Sequence, residues 1–155
     1  MIRSLMAVAL LIVAIPGMGQ TAGDTRMENE LMIREFISAW SSLDAQLLAS
    51  YFAEDGTYHN IPSQAVSGRD NIEAMITNFT RPWQETEWEI LNVVSQGNTV
   101  VVERIDHTVV GGQLIDLPCL GIFEIEDGKI KVWRDYFDLA TYTTALSRAL
   151  NPAAP

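Results

Sequence analysis

Two charged residues, Arg104 and Asp106, have the types and the spacing of a reactive pair. They lie two positions apart in the valine-rich segment 100–109, so in a β-strand both side chains point to the same face. A guanidinium carries five donors and can bind a second carboxylate besides that of Asp106. If Arg104 and Asp106 are buried, their charges need such partners, because an isolated buried charge is costly. A solvent-exposed ion pair on the outside of a sheet has the same spacing and is the alternative.

Asp135 is the candidate for the second carboxylate. In the segment 131–137 its side chain shares a strand face with Trp133 and Phe137. A carboxylate between two aromatic rings is unusual at a surface, which favours a place on the wall of an apolar pocket. The alternative is a charge on an edge strand that discourages aggregation.

Tyr58 and Asn60 form a third pair with a spacing of two. A phenol and a carboxamide that point the same way can together hold one water molecule. Their alternative roles are a core tyrosine and a turn asparagine before Pro62. By strand alternation, His59 and His107 point to the opposite sides of their strands, so we expect both outside the pocket.

These residues together suit the opening of an epoxide by water. A base removes a proton from the attacking water while an acid protonates the leaving oxygen. Two carboxyl groups near one arginine can fill both roles, because desolvation and mutual repulsion keep one neutral while the arginine stabilises the other as an anion. The chemistry needs no metal and no cofactor, and we expect neither. One cysteine and two histidines do not make a zinc-type set, and Cys119 is expected to be an inert buried thiol.

Composition indicates one globular domain, and the N-terminal pattern indicates that it is exported. The 155 residues suit a single domain, and a net charge of -10 argues against nucleic acid as a partner. Residues 1–22 have the pattern of a signal peptide: a positive charge at Arg3, an apolar run over 5–15, and then Pro16 with small residues. The run is too short to span a bilayer, so stable membrane insertion is not expected. We therefore predict a periplasmic or secreted protein, or a cytoplasmic one if Met27 is the true start.

The pattern of the remaining chain indicates an α+β domain over residues 23–150, with a disordered tail at 151–155. Helical spacing over 24–53 predicts two helices, the second capped by Asp44. Asp55-Gly56 is expected to be a turn, and Asp70 is expected to cap a helix over 71–79. The expected strands cover 57–61, 86–95, 99–109, 114–126 and 129–137, with a closing helix over 141–150. A curved, mixed or antiparallel sheet wrapped around the N-terminal helices would form a cone with a deep apolar pocket.

Four segments resemble the limonene-1,2-epoxide hydrolase family, which has SnoaL-like and NTF2-like cone folds. They are YHNIP at 58–62, ERID at 103–106, LPCLGIFE at 117–124 and DGKIKVWRDYFD at 127–138. The last segment is the most specific of them. The resemblance covers about residues 27–146.

The resemblance implies roles for the five polar residues. The aspartate matching Asp106 would deprotonate water positioned by Tyr58 and Asn60, and the one matching Asp135 would protonate the epoxide oxygen, with Arg104 bridging both. It also implies a homodimer that converts an apolar, terpene-like or related epoxide to a vicinal diol without a covalent intermediate. Two tryptophans, at positions 83 and 88, are candidates for the dimer interface.

Two other functions remain open at this stage. One is an isomerase or cyclase of the SnoaL or ketosteroid isomerase type, which needs a base beside a carbonyl-binding acid. The other is a non-catalytic domain that binds apolar ligands. A non-catalytic domain would have no need to gather all five polar residues in one cavity.

Overall fold

The computed structural model describes residues 22–151. The signal peptide expected at 1–22 lies outside the described residues except for its last position, and the tail expected at 151–155 does so except for its first. Within the described range, no helix has the length and apolar character needed to cross a membrane.

Two helices precede the sheet, with the break that the sequence predicts. Helix α1 (Ala22–Ala39) continues into a short 3-10 turn (Trp40–Ser42), and α2 covers Ala45–Ser50. Asp44 caps α2, since its carboxylate oxygen Oδ1 accepts a hydrogen bond from the backbone N–H of Leu47 at 3.0 Å. The backbone between the two segments turns at Leu43, which adopts a left-handed φ of 54°.

Six strands form one curved sheet. They are β1 (Phe52–Asn60), β2 (Val66–Ser67), β3 (Trp83–Gln96), β4 (Thr99–Val110), β5 (Gln113–Glu126) and β6 (Lys129–Phe137). Their order in the sheet is β2-β1-β6-β5-β4-β3. Only β1 and β6 pair in parallel, and the other neighbours are antiparallel. The sheet and helices confirm the predicted α+β class.

The turn predicted at Asp55-Gly56 is wrong, because both residues lie inside β1. The pairing of β1 with β6 is irregular between Phe52 and Thr57, which is where the extra residues of a bulge are accommodated. A Cβ atom at Gly56 would lie 3.0 Å from the carbonyl oxygen of Ile130. Glycine is therefore used here for close backbone approach rather than for reversal of the chain.

The remaining helices follow β2 and β6. Helix α3 (Arg69–Thr80) starts two residues earlier than expected, and its N-cap is Gly68 with φ of 90°, so the prediction that Asp70 caps it is wrong. Asp70 lies in the first turn instead, where a negative charge still suits the helix dipole. The last helix, α4 (Leu139–Leu150), is capped by Asp138.

The concave face of the sheet, called the inner face below, packs on the helices through aromatic side chains. Trp40 stacks on Trp88 with ring centroids 4.2 Å apart, and Phe36 meets Trp133 edge-on at 5.3 Å. Trp83 and Trp88 are each 8% exposed, so both belong to the interior of the protomer and not to a surface that could form an interface. This aromatic layer surrounds the polar residues of the site.

Candidate active site

Three strands, β1, β6 and β4, bring the five candidate residues to one place on the inner face, with β5 between the last two. Alternation directs Arg104 and Asp106 inward from β4. Asp135 on β6 pairs across the sheet with Gly121 on β5 and, on its other side, with Asn60 on β1. The alternative interpretation of Arg104 and Asp106 as a solvent-exposed pair is wrong, since their residue exposures are 0% and 7%.

Arg104 binds both carboxylates in a bidentate manner. Its Nε and Nη2 donate to Asp106 Oδ1 and Oδ2 at 2.7 and 3.1 Å. Its Nη1 and Nη2 donate to Asp135 Oδ1 and Oδ2 at 2.9 and 2.7 Å. The guanidinium carbon also lies 4.4 Å from the centroid of the Trp88 ring, within cation–π range. One planar cation therefore fixes the positions of all four carboxylate oxygens.

The charges of the cluster do not balance unless one carboxyl group is protonated. Burial raises the pKa of Asp106 to about 6, against the lowering effect of Arg104 and with repulsion from Asp135 adding to the rise. Burial alone would lower the pKa of Arg104, but the two carboxylates raise it well above its ordinary value. One arginine and one anion make a neutral pair, so a neutral acid beside an anion is the arrangement that the buried site favours.

Tyr58 and Asn60 stand beside Asp135. The Tyr58 ring stacks on Trp133 at 4.0 Å between centroids and is buried, so burial, followed by the charge of Asp135, raises its pKa well above 10. The carboxamide oxygen Oδ1 of Asn60 is buried and accepts no hydrogen bond from any described residue. A buried acceptor of this kind is suited to a ligand or a bound water.

A small cavity of about 20 Å³ joins these groups. Its wall contains four of the five candidate residues, while Arg104 lies behind the carboxylates. The full lining is Tyr58, Asn60, Phe79, Trp88, Asp106, Leu117, Cys119, Asp135, Phe137 and Tyr142. A cavity needs roughly 10–15 Å³ to hold a water molecule, so this one has room for about one.

Several residues of the site were not identified from the sequence. Cys119 faces the cavity and its thiol lies 3.3 Å from Asp106 Oδ2. Gly121 leaves room for the guanidinium, because a Cβ atom there would lie 2.9 Å from Arg104 Nη1. The only available signal was strand alternation, since both positions share the inward phase of β5 with Leu117.

The two histidines lie away from the cavity, as predicted. His59 Nε2 lies 3.0 Å from the carbonyl oxygen of Ser63. His107 Nδ1 lies 2.7 Å from Asp116, and hydrogen bonds to Asp116 and Glu89 raise the pKa of this half-exposed imidazole. Neither ring can reach a group bound beside Arg104.

Asp106, Cys119 and Asp135 are the described residues whose potential metal-ligand atoms cluster within 4.8 Å. All four carboxylate oxygens already accept hydrogen bonds from Arg104. A divalent cation would have to displace a buried guanidinium or sit against its positive charge. The donor set therefore suits proton transfer better than metal binding.

The family model described as the limonene-1,2-epoxide hydrolase catalytic domain matches residues 27–148. The chain belongs to the limonene-1,2-epoxide hydrolase family. The match agrees with the resemblance carried by the segments at 58–62, 103–106, 117–124 and 127–138.

Relatives of this family are found both among curated proteins and among solved structures. Epoxide hydrolase EphG of Mycobacterium tuberculosis is 25% identical over 118 residues, which are 76% of this chain and 78% of that protein. The structure of an M. tuberculosis LEH-like epoxide hydrolase superposes with a TM-score of 0.69 at 25% identity, covering 81% of this chain and 93% of that one. A structure described as a SnoaL-like polyketide cyclase from Jannaschia sp. CCS1 gives a TM-score of 0.74 at 21% identity, covering 88% and 100% of the two chains. The last similarity shows the shared fold alone.

Proposed function

We propose that the protein is an epoxide hydrolase that adds water to an apolar epoxide and releases a vicinal diol. The observation that carries this proposal is Arg104 bound at once to two buried carboxylates that face one cavity. Ring opening needs an acid and a base on opposite sides of the reacting carbon–oxygen bond, and this cluster supplies both. Membership of the limonene-1,2-epoxide hydrolase family and the similarity to EphG support the same chemistry.

We assign the acid role to Asp106 and the base role to Asp135, which exchanges the roles expected from the resemblance. Burial and repulsion from Asp135 raise the pKa of Asp106 to about 6, so this carboxyl group holds a proton to a higher pH than an ordinary aspartate does. Asp135 receives hydrogen bonds of 2.7 and 2.9 Å from Arg104, which stabilise an anion there. It also pairs with Asn60, whose free carboxamide oxygen can hold water against it.

The proposed reaction is a single concerted step. The oxygen of water forms a bond to one oxirane carbon and loses a proton to Asp135. The bond between that carbon and the oxirane oxygen breaks, and the oxygen takes the proton of Asp106. After release of the diol, Asp135 holds a proton and Asp106 is an anion, so one proton must return to Asp106 before the next turnover. No covalent bond to the protein forms at any point.

The cavity wall suits an apolar substrate. Apart from the two carboxyl groups, the carboxamide of Asn60 and the thiol of Cys119, its side chains are aromatic or aliphatic. Such a wall lowers the local dielectric and excludes bulk water, which strengthens the hydrogen bonds around Arg104. A terpene-like epoxide has no charged group that this wall would leave unpaired.

The proposal is tested with the purified protein and limonene-1,2-epoxide, with the diol measured by gas chromatography. We expect Asp106→Asn and Asp135→Asn each to lower turnover by about 10²–10⁴-fold. Asp116→Asn is the matched control, because Asp116 is an exposed carboxylate on the opposite face of β5 and should be replaceable without loss.

Isotope labelling separates the proposed step from a covalent route. In a single turnover in ¹⁸O-water, the label should enter the diol and be absent from the protein carboxylates. Label in Asp106 or Asp135 would indicate an ester intermediate and contradict the proposal. Isomerisation of an enone without any diol formation would favour the isomerase function instead.

A further inference from the structure

Cys119 makes a direct contact with the acid of the proposed mechanism. Its Sγ donates a hydrogen bond to Asp106 Oδ2 over 3.3 Å. Cys119 pairs with Arg104 across β4 and β5, and Leu117 pairs with Asp106 in the same ladder. The sheet register, and not a flexible loop, therefore holds the thiol beside the carboxyl group.

The thiol keeps its proton in this environment. Burial, followed by the negative charge of Asp106, raises the pKa of Cys119 well above its ordinary value. A neutral thiol is a weak nucleophile, so Cys119 is protected from alkylation by an epoxide in the same cavity. Its S–H group remains available as a hydrogen-bond donor at every pH at which the fold is stable.

The two oxygens of Asp106 have unequal partners. Oδ1 accepts the 2.7 Å hydrogen bond from Arg104 Nε, while Oδ2 accepts the 3.1 Å bond from Nη2 and the thiol bond. A protonated carboxyl group keeps its hydrogen on the oxygen with the weaker charged donor, which is Oδ2. That oxygen is also the one that Cys119 contacts.

On the basis of the function proposed above, we propose that Cys119 is a positioning residue that stabilises the Asp106 anion formed when the acid gives up its proton. As the O–H bond of Asp106 breaks and the substrate oxygen takes the proton, Oδ2 gains negative charge, and the hydrogen bond that Cys119 donates to it becomes stronger. Cys119 itself neither loses nor gains a proton. Its hydrogen bond stabilises the state after proton transfer more than the state before it. Such differential stabilisation lowers the barrier of a reaction.

The first test is the pH dependence of kcat in two variants. Cys119→Val fills the space without a donor, and Cys119→Ser restores one. Because the thiol stabilises the anion, Cys119→Val should raise the pH midpoint above which activity falls by about half to one unit. It should also lower kcat on the acidic side by about threefold, with KM nearly unchanged, because the acid has become weaker. Cys119→Ser should return both values towards those of the wild type.

Leu117→Ala is the matched control, since Leu117 lines the same cavity from the same strand without contacting a carboxylate oxygen through hydrogen bonds. It should change KM and leave the pH midpoint in place. An unchanged midpoint in Cys119→Val, or a midpoint in Cys119→Ser that follows Cys119→Val, would overturn the proposal.

The second test does not depend on turnover. Cys119 is the only cysteine of the 155-residue chain, so the infrared S–H stretching band belongs to it alone. The band should shift to lower frequency as pH rises through the midpoint of Asp106, and it should be independent of pH in Asp106→Asn. A band that does not move in the wild type would refute the role of Cys119 while leaving diol formation intact. Lack of diol formation, with the band titrating as expected, would instead refute the hydrolase function alone.

Discussion

Asn60 and Asp135 lie opposite each other on the parallel strands β1 and β6, at the point where β1 ends. The chain then turns away, and the backbone N–H of Ile61 donates to the carbonyl oxygen of Asp135 at 2.9 Å. The side chains of Asn60 and Asp135 line the same cavity, and the carboxamide oxygen of Asn60 accepts no hydrogen bond from the described residues. A water molecule that donates one hydrogen to the Asn60 oxygen and one to Asp135 would be placed for deprotonation by the proposed base.

Azide should distinguish the base from the acid. Azide is already a nucleophile and needs no deprotonation, so it should restore ring opening to Asp135→Asn and give an azido-alcohol. The measurement is made at a pH low enough for Asp106 to keep its proton, because the substitution also removes the repulsion from Asp135 that raises the pKa of Asp106. Arg104 beside two neutral groups should then admit an anion. Mass spectrometry of the products provides the measurement.

The matched variant is Asp106→Asn, in which the acid is missing and azide cannot replace it. We expect no rescue there, since the leaving oxygen still departs as a poor alkoxide. Rescue of Asp106→Asn with none of Asp135→Asn would reverse the assignment and return the roles to those expected from the resemblance.

The raised pKa of Asp106 also predicts that this group lowers the free energy of unfolding at pH values where it is ionised. The folded-state pKa is about 6, whereas an unfolded aspartate titrates near 3.9. The folded chain therefore binds more protons between these values, so stability from this group is fully present below about pH 4 and is lost as pH rises through about 6. Asp106→Asn should be more stable than the wild type at pH 8 by about 1–3 kcal/mol and no more stable at pH 4.

Chemical denaturation of both proteins from pH 4 to 8 tests this difference. Some carboxylates have lowered pKa values, such as Glu30, Asp55 and Asp138, and their contributions to stability change with pH in the opposite sense. These contributions cancel when the variant is compared with the wild type. Equal stabilities of Asp106→Asn and wild type at pH 8 would mean that the carboxyl group is not destabilised by burial.

Strand alternation was sufficient to predict that Arg104 and Asp106 share one face of their strand but not that this face is buried, and the four matching segments were sufficient to predict the family. Neither of these patterns was sufficient to predict that β1 runs parallel to β6, because the pairing of distant strands depends on tertiary packing. That pairing is what places Asn60 against Asp135. The error at Asp55-Gly56 has a related cause, since an Asp-Gly pair indicates a turn and only the approach of Ile130 shows that a bulged strand is formed.

Gly121 illustrates a requirement that a single sequence does not show. An added Cβ atom would lie 2.8 Å from the Phe123 ring and 2.9 Å from Arg104 Nη1, both too close. Gly121→Ala should therefore displace the guanidinium from Asp135 and lower kcat by about tenfold or more, because small displacements in an acid–base site are costly. Steady-state kinetics provide the measurement. Gly97→Ala is the control, since no atom lies within 4 Å of its added Cβ and only local backbone strain should result. Loss of kcat in both variants would argue against a specific contact with Arg104.

The outer face of the sheet, opposite the helices, carries exposed apolar side chains. Leu120 and Tyr136 pair across β5 and β6 and are 40% and 41% exposed, and Leu114 is 64% exposed. We propose that two copies of the chain pack through this face, since exposed apolar surface of this kind marks interfaces. Sedimentation should give twice the mass of one chain for the wild type and the mass of one chain for Leu120→Glu. The control is Leu31→Glu, because Leu31 is an exposed residue of helix α1, and this variant should stay dimeric. A monomeric wild type would exclude this arrangement.

We predict that helix α4 moves when an apolar epoxide reaches the two carboxylates. The cavity holds about 20 Å³, whereas pockets for ligands of drug size hold roughly 300–1,000 Å³. Tyr142 of α4 forms part of the cavity wall, and its hydroxyl accepts a long hydrogen bond of 3.4 Å from Trp83 Nε1. The amides of α4 should therefore exchange hydrogen faster than those of β4 and β5, and an epoxide bound to the inactive Asp135→Asn variant should change the exchange of α4 selectively. Exchange in α4 as slow as in the central strands, unaffected by the epoxide, would mean that the substrate enters by another route.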